Sequence, residues 1–363
     1  MLIPELIKKQ ICLLEVEGLS KNQWFRLFRV LRHKSLTASF YTRLVNKNKQ
    51  HEIPLELHSA FLSAVTFSDA QKRQVDVQLQ KLCELFAVSG IEFVMLKGAA
   101  YIASDTPNSS GRLMSDIDIC VHRSDLSRTE KALKQVSWQV KELDNHDEKY
   151  YREWSHELPP YYHPFDGVSL DVHHTLYPPV SAKHIDIQKL FKESIVTNFG
   201  VKSPSPEWLV FHSAIHLIAN EDVENGLRDL IDIYLLLTQG ENKIDISALV
   251  FLFENSGFKT ELSLLKQLLW DYFDYNLPLE ASGHLQSGSF QYQLRLWAIR
   301  RAVCPESDFV ANTNFRLARF INYVIGYSQK MPMSLLAKHL LFKGGRNIVK
   351  AILGDFYFRK NAT

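Results

Sequence analysis

Phe93-Val-Met-Leu-Lys-Gly98 and Arg112-Leu-Met-Ser-Asp-Ile-Asp-Ile-Cys-Val121 are two apolar runs that carry polar residues only at particular points. Each reads as a buried strand: the first as Ile91–Leu96, ending in Lys97-Gly98, the second as Ser115–Val121. Side chains in a strand alternate faces, so Asp116 and Asp118 project from one face while Ile117 and Ile119 project from the other. Two carboxylates on a strand built for burial are costly unless something cationic sits between them. A divalent metal is the obvious candidate.

A third acid fits the same pattern. Val168-Ser-Leu-Asp-Val-His-His174 is β-patterned and places one carboxylate, Asp171, inside it. If this strand neighbours Ser115–Val121, three carboxylates converge on one face. Phosphoryl or nucleotidyl transfer with two metal ions needs that arrangement, because Mg²⁺ takes carboxylate oxygens and leaves positions for substrate phosphates. Asp116 and Asp118 would bridge two Mg²⁺ (or Mn²⁺) ions, and Asp171 would complete the first and help deprotonate an attacking hydroxyl. Gly98 would let the backbone approach a nucleotide, with the N–H groups of a helix from Gly98 to Ser104 facing phosphate. Lys97 and Arg112 would neutralise phosphate charge and Ser115 would hydrogen-bond it. The bland reading has Lys97 and Arg112 pairing with the acids in an edge cluster.

Working outward, residues 1 to about 60 read as short helices, with Trp24, Leu27, Phe28 and Leu31 at helical spacing. Pro54 opens a long helical run to about Ser89, closed by Gly90. Ser68 and Lys72 interrupt its apolar stripe, leaving one helix or two. Ser124 is expected to cap a helix running to about Val136. Trp138–Val140 is a further short strand, and residues 141–157 an exposed loop or short helix. Leu158–His163 pairs with Val168–His174 through the hairpin signal Asp166-Gly167, and Pro159-Pro160 would confine the first of these strands to a sheet edge. After Gly200 the chain is helical, starting at Ser205-Pro206. Alternating strands and helices followed by a hairpin argue for an α/β or α+β unit with a small mixed sheet.

Composition sets the outer limits. The chain has 363 residues, 46% of them hydrophobic and 23% charged, with a formal net charge of +2. That balance gives no global sign pointing to nucleic acid or membrane. The end of the chain differs: Lys338, Lys343, Arg346, Lys350, Arg359 and Lys360 face one acid, Asp355, a segment that would suit a nucleic acid or an anionic surface. The four cysteines lack metal or CxxC spacing, and Cys83 and Cys120 lie in apolar runs, as buried free thiols of a reducing compartment would. With no signal peptide and no window apolar enough to span a bilayer, a cytoplasmic protein is expected.

The ordered set Met95-Leu-Lys-Gly98, Arg112-Leu-Met-Ser-Asp-Ile-Asp-Ile119 and Leu170-Asp-Val-His173 resembles the uncharacterised nucleotidyltransferase family known as NTP-transferase family 5, within the DNA polymerase β-type superfamily. The likeness extends to His33–Leu44 and to Glu207–Leu237, covering about residues 25–240. Gly98-Ala99 stands where the superfamily usually has Gly-Gly or Gly-Ser, and Gly98 lies further from Asp116 than is typical. The resemblance implies a polymerase β-like core at residues 61–200, between helical regions at 1–60 and 201–363. It also implies metal-dependent transfer of an NMP from an NTP to a hydroxyl or phosphate acceptor, with pyrophosphate released. His173 matches a family position and would line the substrate site; Arg228 is the other candidate for that role. The acceptor should sit where the helices after Gly200 face the sheet. The alternatives are an NTP-binding or regulatory module without turnover, or a toxin-like enzyme that modifies RNA or protein.

Overall fold

The computed structural model describes residues 3–140, 148–198, 200–240, 243–279, 289–307, 310 and 314–330. The basic segment from Lys338 to Lys360 lies outside them. A mixed sheet forms the centre. β1 (Phe93–Leu96) and β2 (Ile117–Val121) pair antiparallel, and β5 (Val168–His173) runs parallel to β2 on its other side. β3 (Gln139–Val140), β4 (Tyr161–His163), β6 (Ile195–Val196) and β7 (Lys202–Ser203) complete the order β3-β4-β5-β2-β1-β7-β6. Every residue of β1 and β2 is buried, which is why both read as unbroken apolar runs rather than alternating ones.

Helices surround this sheet. α1 (Lys21–His33) starts with Ser20 and Gln23 in a reciprocal capping box and buries Trp24, Leu27, Val30 and Leu31. α2 (Thr37–Asn46) follows, then α3 (Leu55–Ser89), a single unbroken helix of 35 residues. Its length is about 50 Å at the usual rise per residue. Ser68, which interrupts the stripe, is simply buried with it. Gly90 closes α3 in the left-handed conformation, returning its N–H to Ala87 and Phe86.

α3 acts as a strut for the central strands. Gln71 clasps the backbone of Met114 on both sides, at 2.7 and 2.9 Å, just before β2 begins. About one, two and three turns later Gln74, Gln78 and Lys81 hold Asp166, in the turn between β4 and β5. The expected Asp166-Gly167 hairpin is present, with Gly167 at φ +64.

α4 (Lys97–Ala103) leaves β1 directly, and α5 (Leu126–Gln135) follows β2. Several local expectations are corrected. β2 begins at Ile117, so Asp116 precedes the strand instead of lying inside it. A 3₁₀ turn at Arg123–Asp125 takes the place of a Ser124 cap. β4 starts after Pro159-Pro160 and is covered by β3, so the prolines end the strand without placing it at the edge. Cys83 is only partly buried, although all four cysteines are free.

The remaining helices are α6 (Ile187–Glu193), α7 (Pro206–Ile218), α8 (Gly226–Gln239), α9 (Ile246–Asn255), α10 (Lys259–Phe273), α11 (Phe290–Ala302) and α12 (Phe315–Lys330). Pro206 occupies the first turn of α7, as its sequence signal predicts. A buried Arg295–Glu261 pair at 2.9 Å ties α11 to α10. Among the described residues no helix is long and apolar enough to cross a membrane.

Candidate active site

The register of two parallel strands builds the centre of the site. β2 and β5 pair Asp118 with Asp171 and Cys120 with His173, while Leu170 and Val172 alternate to the opposite face. Asp118, Asp171 and His173 therefore share one face, which looks onto α7: the His173 and His212 rings lie 6.5 Å apart. Leu96 pairs with Asp118 across β1 and β2, so the next residue, Lys97, reaches the same carboxylate. Its Nζ donates to Asp118 Oδ1 at 2.7 Å. Lys97 adopts φ +43, a conformation a non-glycine residue rarely takes, at the point where β1 turns directly into α4.

Asp118 is the most tightly held of the three acids. Its Oδ1 also lies 3.0 Å from His173 Nε2, and His173 is fully buried. Burial alone would raise this carboxyl, but Lys97 and His173 outweigh it and hold it well below the usual carboxylate range. Asp171 behaves oppositely: burial, then the Asp118, Glu157 and Asp116 carboxylates, push it up to about 8, with Lys97 in opposition. Asp116 accepts a hydrogen bond from exposed Ser115 at 2.9 Å.

The Lys97 ammonium thus faces Asp116, Asp118, Asp171 and Glu157, a set of hard oxygen donors that outnumbers the ammonium groups beside it among the described residues. That donor set fits divalent Mg²⁺ or Mn²⁺, and Lys97 stands where one cationic charge is needed. Among the described residues the three-member group whose ligand atoms lie within 4.8 Å of one another is His156, Glu157 and His173; the three aspartates are spread more widely.

Two cavities meet at Lys97, Asp116 and His216. The first, of about 180 Å³, brings together Lys97, Gly98, Arg112, Ser115, Asp116 and Asp118, with Arg228 also on its wall. Arg112 is anchored rather than loose: its Nε donates to Asp232 Oδ2 at 2.6 Å, and its guanidinium lies 5.2 Å over the Tyr101 ring. Arg228 donates to its neighbour Asp229 at 3.0 and 3.1 Å. The pairing of Lys97 and Arg112 with acids, the blander expectation, is present, but both residues still line the cavity. Gly98 has a nearer reason than nucleotide approach. A Cβ there would lie 2.1 Å from Met114 Sδ and 2.9 Å from Arg112 Nη1, so glycine lets the 112–114 loop close over α4.

The second cavity, of about 380 Å³, opens on the other side of Asp116 and is lined by Glu157 and Asp171, by the end of α7 and by α12. It lies where the helices after Gly200 face the sheet. His173 is on the lining of neither of these two cavities; it lies behind Asp118, with its Nε2 3.0 Å from Asp118 Oδ1.

Sequence reasoning missed Glu157, His216, Asp229 and Asp232 as parts of this site. Glu157 reaches it through an isolated antiparallel bridge to His173, which no strand pattern announces. Asp232 has its guanidinium partner, Arg112, 120 residues earlier, a separation that no local pattern reveals.

A family model described as "Uncharacterised nucleotidyltransferase" matches residues 20–274. No curated protein matches the sequence. Three solved structures show partial likeness. The antibiotic-resistance factor ANT(2'')-Ia is 13% identical, covers 54% of this chain and 96% of its own, and gives a TM-score of 0.34. An antigenic nucleotidyltransferase-like protein from Paracoccidioides brasiliensis is 17% identical, with coverages of 58% and 97% and a TM-score of 0.36. JHP933 from Helicobacter pylori is 13% identical, with coverages of 74% and 98% and a TM-score of 0.30.

Proposed function

The chain belongs to the uncharacterised nucleotidyltransferase family, and on that footing we propose that it transfers an NMP from an NTP to an acceptor hydroxyl, releasing pyrophosphate. The observation that carries this reading is the in-register pairing of Asp118 with Asp171, with Lys97 and Asp116 beside them where two cavities meet. Asp116, Asp118 and Asp171 are the residues that would hold two Mg²⁺ or Mn²⁺ ions. When bound, the ions would neutralise the triphosphate and stabilise the attacking and leaving oxygens of the displacement.

The chain's own groups supply the rest. Lys97, Arg112 and Ser115 orient the triphosphate in the first cavity, with Arg228 at its rim. Gly98 keeps the wall of that cavity close. His173 fixes the rotamer of Asp118 from behind, and Asp171 faces the second cavity, where it takes the proton of the attacking hydroxyl. The acceptor oxygen then approaches the α-phosphorus from the side opposite pyrophosphate. The four free cysteines support a reducing, cytoplasmic setting.

The test is to incubate the protein with α-labelled NTPs, Mg²⁺ or Mn²⁺ and cell extract. A labelled product should form with wild type and disappear with Asp116→Ala/Asp118→Ala. Equal labelling by the double variant would rule out these carboxylates as the catalytic centre.

A further inference from the structure

Arg112 lies in the irregular stretch from 104 to 116 that joins α4 to β2, so its own backbone gives the side chain no fixed direction. The direction comes from α8, 120 residues later. Arg112 Nε donates to Asp232 Oδ2 at 2.6 Å, and its Nη2 lies 4.0 Å from Asp229 Oδ1. These two acids stand one turn apart on the same face of α8. The guanidinium also lies 5.2 Å over the Tyr101 ring of α4, and Tyr101 shares a hydrogen bond with Ser213 of α7. Three helices thus converge on one side chain.

The pair is buried: the Arg112 side chain is 10% exposed and that of Asp232 is 6% exposed. A guanidinium is a rigid planar fork, so fixing its Nε fixes where its other nitrogens point. Here Nη1 falls beside Gly98, 2.9 Å from where a Cβ would stand. Gly98 and Arg112 both line the first cavity. The hold by Asp232 therefore sets one guanidinium nitrogen against the wall where the triphosphate is placed.

Resting on the transferase reading, we propose that Asp232 is a positioning residue for the nucleotide: it grips Arg112 by Nε and so directs Nη1 to a triphosphate oxygen. Asp232 acts through Arg112. A donor that is already oriented loses little freedom when phosphate arrives, and the saving appears as affinity for the NTP. The same arrangement gives the helical region after Gly200 a part in nucleotide binding, since α8 directs a side chain that belongs to the loop before β2.

The experiment is calorimetric titration of the full chain, in Mg²⁺, with the four ribonucleoside triphosphates whose α,β-bridging oxygen is replaced by methylene. These analogues bind without being cleaved at the α-phosphorus. Asp232→Asn should weaken the best-bound analogue about tenfold, the scale of one charge-assisted hydrogen bond. Arg112→Ala should weaken it at least as much, and Arg112→Ala/Asp232→Asn no more than Arg112→Ala alone, because the second change then has nothing to act through. Arg112→Lys keeps the charge but cannot pair with Asp232 and reach the phosphate at once, so it should bind as weakly as Arg112→Ala. Losses that multiply in the double variant, wild-type affinity in Asp232→Asn, or wild-type affinity in Arg112→Lys would each overturn the proposal while leaving the transferase reading intact. If Asp232→Asn fails to melt cooperatively, Arg112→Lys alone decides between these outcomes. No binding of any of the four analogues to wild type would remove the transferase reading, and this inference with it.

Discussion

Lys97 holds together charges that would otherwise repel. Its ammonium is the basic partner of Asp118, whose side chain is only 3% exposed, and among the described residues no lysine or arginine ion pair is formed by Asp116 or Asp171. Removing one member of a buried pair leaves an uncompensated charge, at a cost of about 3–5 kcal/mol. Lys97→Met should therefore lower stability by about 3 kcal/mol in chelator-treated protein. Added Mg²⁺ should raise the variant's melting temperature by more than that of wild type, because a cation restores what the lysine supplied. Equal Mg²⁺ responses in thermal melts would argue against a metal site beside Asp118. Gly98→Ala should be milder for folding, since the group it meets first is the flexible end of Met114. Displacing that loop should cost about 1–2 kcal/mol of stability. It should also weaken NTP binding, measurable by calorimetric titration.

At the scale of elements, α3 is the part whose consequence for the site is least obvious. Gln71 satisfies both the N–H and the carbonyl of Met114, and so fixes the approach to β2 on which Asp116 depends. Gln71→Ala should lose about 1–2 kcal/mol from two hydrogen bonds. The turnover number should fall more than melting does, because Asp116 sits immediately beyond the released segment. A variant with normal turnover would detach the strut from the site. Much of this layer was legible beforehand: the buried runs of β1 and β2, the Asp166-Gly167 turn, and the helix start at Ser205 follow from local chemistry. The side-chain clasp between α3 and Met114 was not, since it joins residues 43 apart and leaves no periodic trace. Glu157 was hidden for the same reason, lying in an irregular stretch that joins the sheet, among the described residues, through a single bridge.

Across the whole molecule, burial of ionisable groups links stability to pH. His174, buried beside β5, is lowered to about 4 by burial, with Arg123 adding to the effect. In the unfolded chain the same side chain titrates near 6.5. Between these values the unfolded state binds more protons, so stability falls as pH drops from about 6.5 towards 4 and is fully present above 6.5. The loss from this residue should approach about 3 kcal/mol at the acid end. Denaturant melts over that range should show the slope, and His174→Leu should flatten it; an unchanged slope would exclude this histidine as its source. The same scale holds the relation between the family core and α12: a Cβ on Gly326 would lie 2.6 Å from the Glu221 backbone, a close approach that no local pattern announces.

The central claim, that Asp116, Asp118 and Asp171 form the centre of nucleotidyl transfer, is tested most directly by following the two ends of one triphosphate. With Mg²⁺ and acceptor-containing extract, label from an α-labelled NTP should enter the product, while label from the γ-position should leave as pyrophosphate in equal amount. Asp171→Asn should suppress both by about 10²–10⁴-fold, the range expected for loss of general acid–base catalysis. Transfer of the γ-label to an acceptor, or undiminished α-label transfer by Asp171→Asn, would contradict it.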